Sequence, residues 1–136
     1  GLARAPGYGA SFKDYVERAN NEIAVIVQAE HARAVENIDS IVQVKGIDAV
    51  QLGPYDLSAS MGKMGQIHDP EVVAAIDRIC TAAKSAGLPI GSFGLTPQVA
   101  ETDIRRGATL ICTGTDALLL GRAAEGILAQ FKELDR

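Results

Sequence analysis

Apolar residues fall into four short runs separated by stretches with helical periodicity. Ile23-Ala24-Val25-Ile26-Val27 is short, largely β-branched and wholly apolar, the pattern of a strand buried in a parallel sheet. Ile47 to Leu52 predicts a second strand, Leu88 to Phe93, entered through Pro89, a third, and Ala108 to Thr113 a fourth. Between the first two, positions 32–44 place Val35, Ile38, Ile41 and Val42 on one helical stripe and Glu36, Asp39 and Ser40 on the wet face, with Gly46 as the stop. The next helix is the most clearly marked. Asp69 is its N-cap, Pro70 its first residue, Val72, Ile76, Ile79, Cys80 and Ala83 its apolar stripe, and Gly87 its end. Thr96-Pro97 opens a further helix ending at Gly107, and a last one runs from about 117 to 134 with Leu120, Ala123, Ala124, Ile127 and Phe131 on its apolar side. Upstream, glycines and a proline make a loop of the first nine residues. Ser11 followed by Asp14 has the capping-box arrangement for a short helix to Asn20 or Asn21.

Strands alternating with helices predict a parallel α/β fold. A strand-helix-strand crossover makes its strands parallel and brings their carboxyl ends to one edge, where α/β proteins bind ligands. The first apolar run ends in Gln28-Ala29-Glu30 and the second runs into Gly53-Pro54-Tyr55-Asp56, so Gln28, Glu30 and Asp56 can converge there. Two carboxylates without an evident cationic partner repel each other unless a positive charge lies between them. A hard divalent ion, Mg²⁺ or Mn²⁺, is the simplest candidate. Acidic residues at strand ends also serve as helix caps and surface charges, and spacing alone leaves both readings open.

The connection at 53–68 is long enough to be functional. Asp56 to Ser60 is expected to begin a short helical turn, Met61 and Met64 to pack on a neighbouring element, and His68 to hydrogen-bond locally rather than bind metal. Met61-Gly62-Lys63-Met64-Gly65 lacks the frame of a phosphate loop. Gly91 and Gly94 would allow close backbone approach, and Gly114-Thr115-Asp116 follows the fourth strand where barrels often hold anions. Arg4, in glycine-rich chain, reads equally as an anion ligand or a surface or subunit-contact residue.

Composition narrows the classes. The chain has 136 residues, one domain or part of one, and 47% hydrophobic content supports a real core. Only 4% of residues are aromatic, with no Trp, and the net charge is −4, which argues against nucleic acid and other polyanions. No apolar run approaches a membrane span, and no basic-then-apolar signal is present. Cys80 and Cys112 stand apart, as reduced thiols of a cytoplasmic protein do.

Several runs carry a family resemblance: Gln28-Ala29-Glu30, Ala34-Val35-Glu36-Asn37-Ile38, Gly46 to Val50, and above all Gly53-Pro54-Tyr55-Asp56-Leu57-Ser58-Ala59-Ser60-Met61-Gly62. Leu2 to Ala5, His68 to Val72 and Leu118 to Leu120 extend it over essentially the whole chain. It resembles the HpcH/HpaI aldolases, metal-dependent pyruvate aldolases. Tyr55 departs from the small residue, and His31 from the threonine, of many members.

The resemblance implies class II chemistry: reversible cleavage of a 4-hydroxy-2-oxo acid to pyruvate and an aldehyde, with Mg²⁺ (or Mn²⁺ or Co²⁺) held by Glu30 and Asp56. Gln28 and the backbone N–H groups of Gly53, Tyr55 and Asp56 would bind the ketoacid. It implies a (β/α)8 TIM barrel of which residues 1–136 are the C-terminal half, with the last four strands, since eight units need about 250 residues. The chain starts at Gly1 rather than Met, in keeping with that expectation. The family's base histidine and enolate-stabilising arginine would lie in the other half; neither His31 nor His68 matches the base, and no catalytic residue is assigned here. Hexamers with exchanged C-terminal helices are the implied assembly, and the isolated chain is expected to associate and to be inactive.

A Schiff-base aldolase is disfavoured, because Lys13, Lys45, Lys63, Lys84 and Lys132 all fall outside the predicted strands. The alternatives are a citrate-lyase-β-like or malyl-CoA-lyase-like C–C lyase, which needs a CoA groove not visible in the sequence, and a non-catalytic half-barrel.

Overall fold

The computed structural model describes residues 3–94 and 96–134; Leu2 of the upstream run lies outside them. Four strands, β1 (Ile26–Ala29), β2 (Ala49–Leu52), β3 (Ile90–Gly94) and β4 (Ala108–Thr113), form one parallel sheet in chain order. The helices are α1 (Phe12–Glu22), α2 (Ala32–Glu36), α3 (Ile38–Ile41), α4 (Pro54–Ser60), α5 (Pro70–Ser85), α6 (Pro97–Arg105) and α7 (Asp116–Leu134). This is the expected parallel α/β architecture. Lysine is absent from all four strands, as the sequence indicated.

The core lies between the sheet and the helices that follow its strands. Val50, Leu52 and Ile90 from the sheet meet Ile38, Leu57, Val72, Ile76 and Ile79 from helices α3, α4 and α5, all of them buried. The predicted stripe of α5 is buried throughout, and Asp69 caps that helix by accepting the Glu71 N–H at 2.9 Å. Burial pushes the Cys80 thiol up to about 11, which makes it an inert core residue.

Several expectations need correction. β1 begins three residues later than its apolar run, because its partner begins at Ala49 and pairs with Ile26. Upstream, the Val25 N–H goes to the Asp48 carboxylate at 2.7 Å instead of to a strand. Gln28 pairs in register with Gln51, so the sheet carries polar side chains as well, while the apolar Ile26 and Phe93 stand exposed.

The single helix expected at 32–44 is two short ones broken at Asn37. The Asn37 Nδ2 donates to the Arg33 carbonyl at 2.7 Å, and the Ser40 hydroxyl donates to the Asn37 carbonyl at 2.8 Å, so side chains compete with the helical ladder. Ser11 sits at the N-cap of α1 without a side-chain cap bond, so the capping box does not form. Met61 packs on the core as expected, but Met64 is exposed. The apolar side of α7 is uncovered: Leu120, Ile127 and Phe131 are all exposed.

Candidate active site

The carboxyl ends of β1 and β2 carry the predicted residues. After β2 the chain turns at Gly53 into α4, with Pro54 at the first helical position and Asp56 in the first turn. Proline has no N–H to lose there and its fixed φ suits the helix, so the sequence places Asp56 directly above the sheet edge. β1 ends at Ala29, next to Glu30, and the turn to α2 is closed by His31, whose Nδ1 accepts the Arg33 N–H at 3.1 Å. His31 is thus a helix cap.

Gly53 is the point where the two turns meet. A Cβ built on it would lie 2.5 Å from the Glu30 Cβ and 3.0 Å from both the Gln28 Nε2 and the Glu30 Oε2. The side chains of Gln28 and Glu30 therefore close over the Gly53 backbone, in space that only a glycine leaves free. Gly53 has φ −122°, a value open to any residue, so packing and not backbone conformation demands the glycine.

Among the described residues neither Glu30 nor Asp56 joins an ion pair or accepts a side-chain hydrogen bond. Asp69, Asp77, Asp103 and Glu101, by contrast, are engaged with Lys or Arg, whereas Asp14, Glu36 and Glu125 share the lack of an ion pair among the described residues. No cluster of three His, Cys, Asp or Glu side chains occurs among the described residues, so the pair would leave most of a cation's coordination to water or substrate.

An open cavity of about 1140 Å³ is walled by Gln28, Gly53, Tyr55 and Asp56, and also by Gln51, His68, Phe93 and Cys112. Glu30 does not line it directly but packs on Gly53. Tyr55 is 63% exposed at the rim. One expected role changes: the Gly53 N–H donates to the Ala29 carbonyl at 3.3 Å and is not open to substrate. The N–H groups of Tyr55 and Asp56, in the first turn of α4, have no side-chain cap.

Among the described residues His68 makes no local hydrogen bond, and it lines the cavity instead; the bonding expected of it belongs to Asp69. Thr115 and Asp116 cap α7 through the N–H groups of Leu118 and Ala117. Gly114-Thr115-Asp116 therefore has a structural task.

The loop between α4 and α5 is pinned at the rim by Lys63, whose Nζ lies 2.7 Å from Asp69 and 3.1 Å from Glu71. The Lys63–Asp69 hydrogen bond raises the Lys63 pKa and lowers that of Asp69. The lowered acid stabilises the fold above its ordinary value of 3.8 and loses that contribution as pH falls through its folded pKa. The raised base contributes below 10.5 and is lost as pH rises through its folded pKa. Protection factors of the amides of residues 63–69, corrected for intrinsic exchange, are therefore expected to be highest between these limits and to fall below about pH 4; Lys63→Met should reduce that acid-side fall, leaving the part due to the helix-capping hydrogen bonds of Asp69.

A four-stranded parallel sheet flanked by helices, with an open cavity at the carboxyl ends of its strands, defines the class: a parallel α/β protein, a fold class whose ligand sites characteristically lie above the strand ends. The family model of HpcH/HpaI aldolase/citrate lyase matches residues 4–123, and the chain belongs to that family. It is 39% identical over 130 residues to a 4-hydroxy-2-oxo-heptane-1,7-dioate aldolase of Shigella sonnei, covering 96% of this chain and 49% of the relative. It is 38% identical over 132 residues to a hydroxypyruvate/pyruvate aldolase of Cupriavidus necator, covering 97% and 49%. A crystal structure of a family protein from Burkholderia cenocepacia superposes with a TM-score of 0.82 at 36% identity, covering 97% of this chain and 51% of that one. The chain thus spans about half the length of the curated relatives it matches.

Proposed function

We propose that this chain carries the cation and ketoacid half of a metal-dependent pyruvate aldolase, which reversibly cleaves a 4-hydroxy-2-oxo acid to pyruvate and an aldehyde. The observation behind this reading is the closure of Gln28 and Glu30 over Gly53, three residues before an equally unpaired Asp56. The donor set fits a hard divalent ion: two free carboxylates, a neutral amide and open space for water and substrate oxygens. Glu30 and Asp56 would hold Mg²⁺, Mn²⁺ or Co²⁺. Once bound, the ion would act as a Lewis acid toward the negative charge that develops on the 2-oxo oxygen during cleavage.

The chain's own groups would do the rest of the binding. The Gln28 amide would donate to the ketoacid. The N–H groups of Tyr55 and Asp56 would hold its carboxylate, with the positive end of α4 behind them. The Tyr55 ring at the rim would meet the aldehyde portion. We also propose that residues 1–136 supply the last four strands of a (β/α)8 barrel. The exposed Ile26 and Phe93 would then be covered by the other strands, and α7 by a neighbouring subunit of a homo-oligomer.

A pyruvate-release assay on the complete barrel tests this function. Activity should fall to background with excess chelator and return when Mg²⁺ or Mn²⁺ is restored. Full turnover in chelator would refute metal dependence, and failure to release pyruvate from any 4-hydroxy-2-oxo acid would refute the aldolase reading.

A further inference from the structure

The two turns that carry Glu30 and Asp56 are tied together at both ends. On one side the Gly53 N–H donates to the Ala29 carbonyl at 3.3 Å. On the other, the Ala32 N–H donates to the Ser60 Oγ at 2.9 Å, across 28 positions of sequence. Glu30 lies between Ala29 and Ala32, and Asp56 lies between Gly53 and Ser60. Each carboxylate thus sits inside a short span whose two ends are hydrogen-bonded to the span bearing the other.

The Gly53 link comes from the backbone and follows from the sheet edge. The Ser60 link depends on one hydroxyl. That hydroxyl also donates to the Leu57 carbonyl at 2.7 Å, which fixes its rotamer and aims its lone pair at Ala32. The Ala32 N–H is a first-turn donor of α2 with no partner inside its helix. His31 already serves the Arg33 N–H, so the Ser60 oxygen is what satisfies the Ala32 donor. A neighbouring hydroxyl does a different job. The Ser58 Oγ donates to the Tyr55 carbonyl at 2.7 Å and accepts the Gly65 N–H at 3.0 Å, which holds the rim loop and leaves the Glu30 turn untouched.

We infer that Ser60 is a positioning residue for the carboxylate pair: by bridging the Ala32 N–H and the Leu57 carbonyl, it sets the separation of Glu30 from Asp56. The inference rests on the proposed cation site and assigns the residue that keeps it assembled. Ser60 touches neither the ion nor the substrate. Its effect should appear as affinity for the ion, in the range typical of residues that support metal ligands.

The test is Mn²⁺ binding to the complete protein, followed by electron paramagnetic resonance without substrate, for wild type, Ser60→Ala, Ser60→Thr, Ala32→Pro and Glu30→Gln. Ser60→Ala is expected to weaken Mn²⁺ about 10- to 100-fold. Ser60→Thr, which keeps the hydroxyl, should bind like wild type. Ala32→Pro deletes the donor and leaves Ser60 intact. Proline is suited to the first residue of α2, and His31 before it is extended (φ −138°, ψ 143°), so this variant should fold and show the same weakening. If Ser60→Ala and Ala32→Pro both bind within twofold of wild type while Glu30→Gln has lost the ion, the inference is overturned and the cation site stands. If Glu30→Gln binds like wild type, the cation site falls and the inference with it. A residue important only for folding would lower the fraction of native molecules and leave the affinity of those molecules unchanged, which also counts against the inference.

Discussion

Gly53→Ala is expected to cut kcat/KM for pyruvate release by about a hundredfold or more while the protein still folds. The new methyl would stand 2.5 Å from the Glu30 Cβ, and the neighbour that must yield is the base of a side chain fixed to the end of β1. Relief requires moving Glu30 itself, and a displacement of about 1 Å in a reacting constellation costs about 10²-fold in rate. Overpacking of this kind destabilises by about 1–3 kcal/mol, which a barrel of ordinary stability survives. Since Gly53 has φ −122°, the loss would report packing against Glu30 and Gln28 and not backbone strain. Steady-state kinetics beside circular dichroism measure the activity and the fold of the variant together. Wild-type turnover by Gly53→Ala would show that Glu30 is free to shift and that its placement does not matter.

The second large effect is loss of charge at the pair. Glu30→Gln and Asp56→Asn keep shape and volume but remove the negative charge that would hold the cation. Each should lower kcat/KM by at least about 10²–10³, as removal of one preorganised electrostatic contact does elsewhere. Stability should change little, because neither carboxylate takes part in an ion pair among the described residues and both replacements keep the side-chain shape; at the exposed Asp56 the change should stay within about 0.5 kcal/mol, and at the half-buried Glu30 it should remain small beside the loss of activity. The double variant should be little worse than either single one, because both act on one ion. Additive, modest losses in the two singles would point to independent roles in binding and would contradict a shared site.

How much of this was legible in the sequence depended on whether the signal was local. The α5 helix was readable to its ends, because Asp69, Pro70 and Gly87 act on the backbone immediately beside them; Gly87 takes φ +72°. The placing of Gln28, Glu30 and Asp56 at one edge followed from the crossover rule alone. What escaped was set by contacts between distant segments. The start of β1 depended on where β2 begins, and the surplus apolar residues found no partner strand. The break at Asn37 came from two side chains competing with the helix, which a count of apolar positions does not register. Gly53 looked like a donor to substrate and proved to be a gap for Glu30. Ser60 looked like one polar residue among several in a helical turn, and nothing near it in sequence points to Ala32, 28 positions away.

Everything proposed for the site turns on Glu30 and Asp56 together holding a divalent cation. Anomalous diffraction from crystals of the complete protein grown with Mn²⁺ and pyruvate tests it most directly. One strong peak is expected, with an oxygen of each carboxylate within about 2.0–2.6 Å, the range of hard divalent ions, and with Gln28 beside the bound ketoacid. A peak that contacts neither carboxylate, or only one of them, would contradict it.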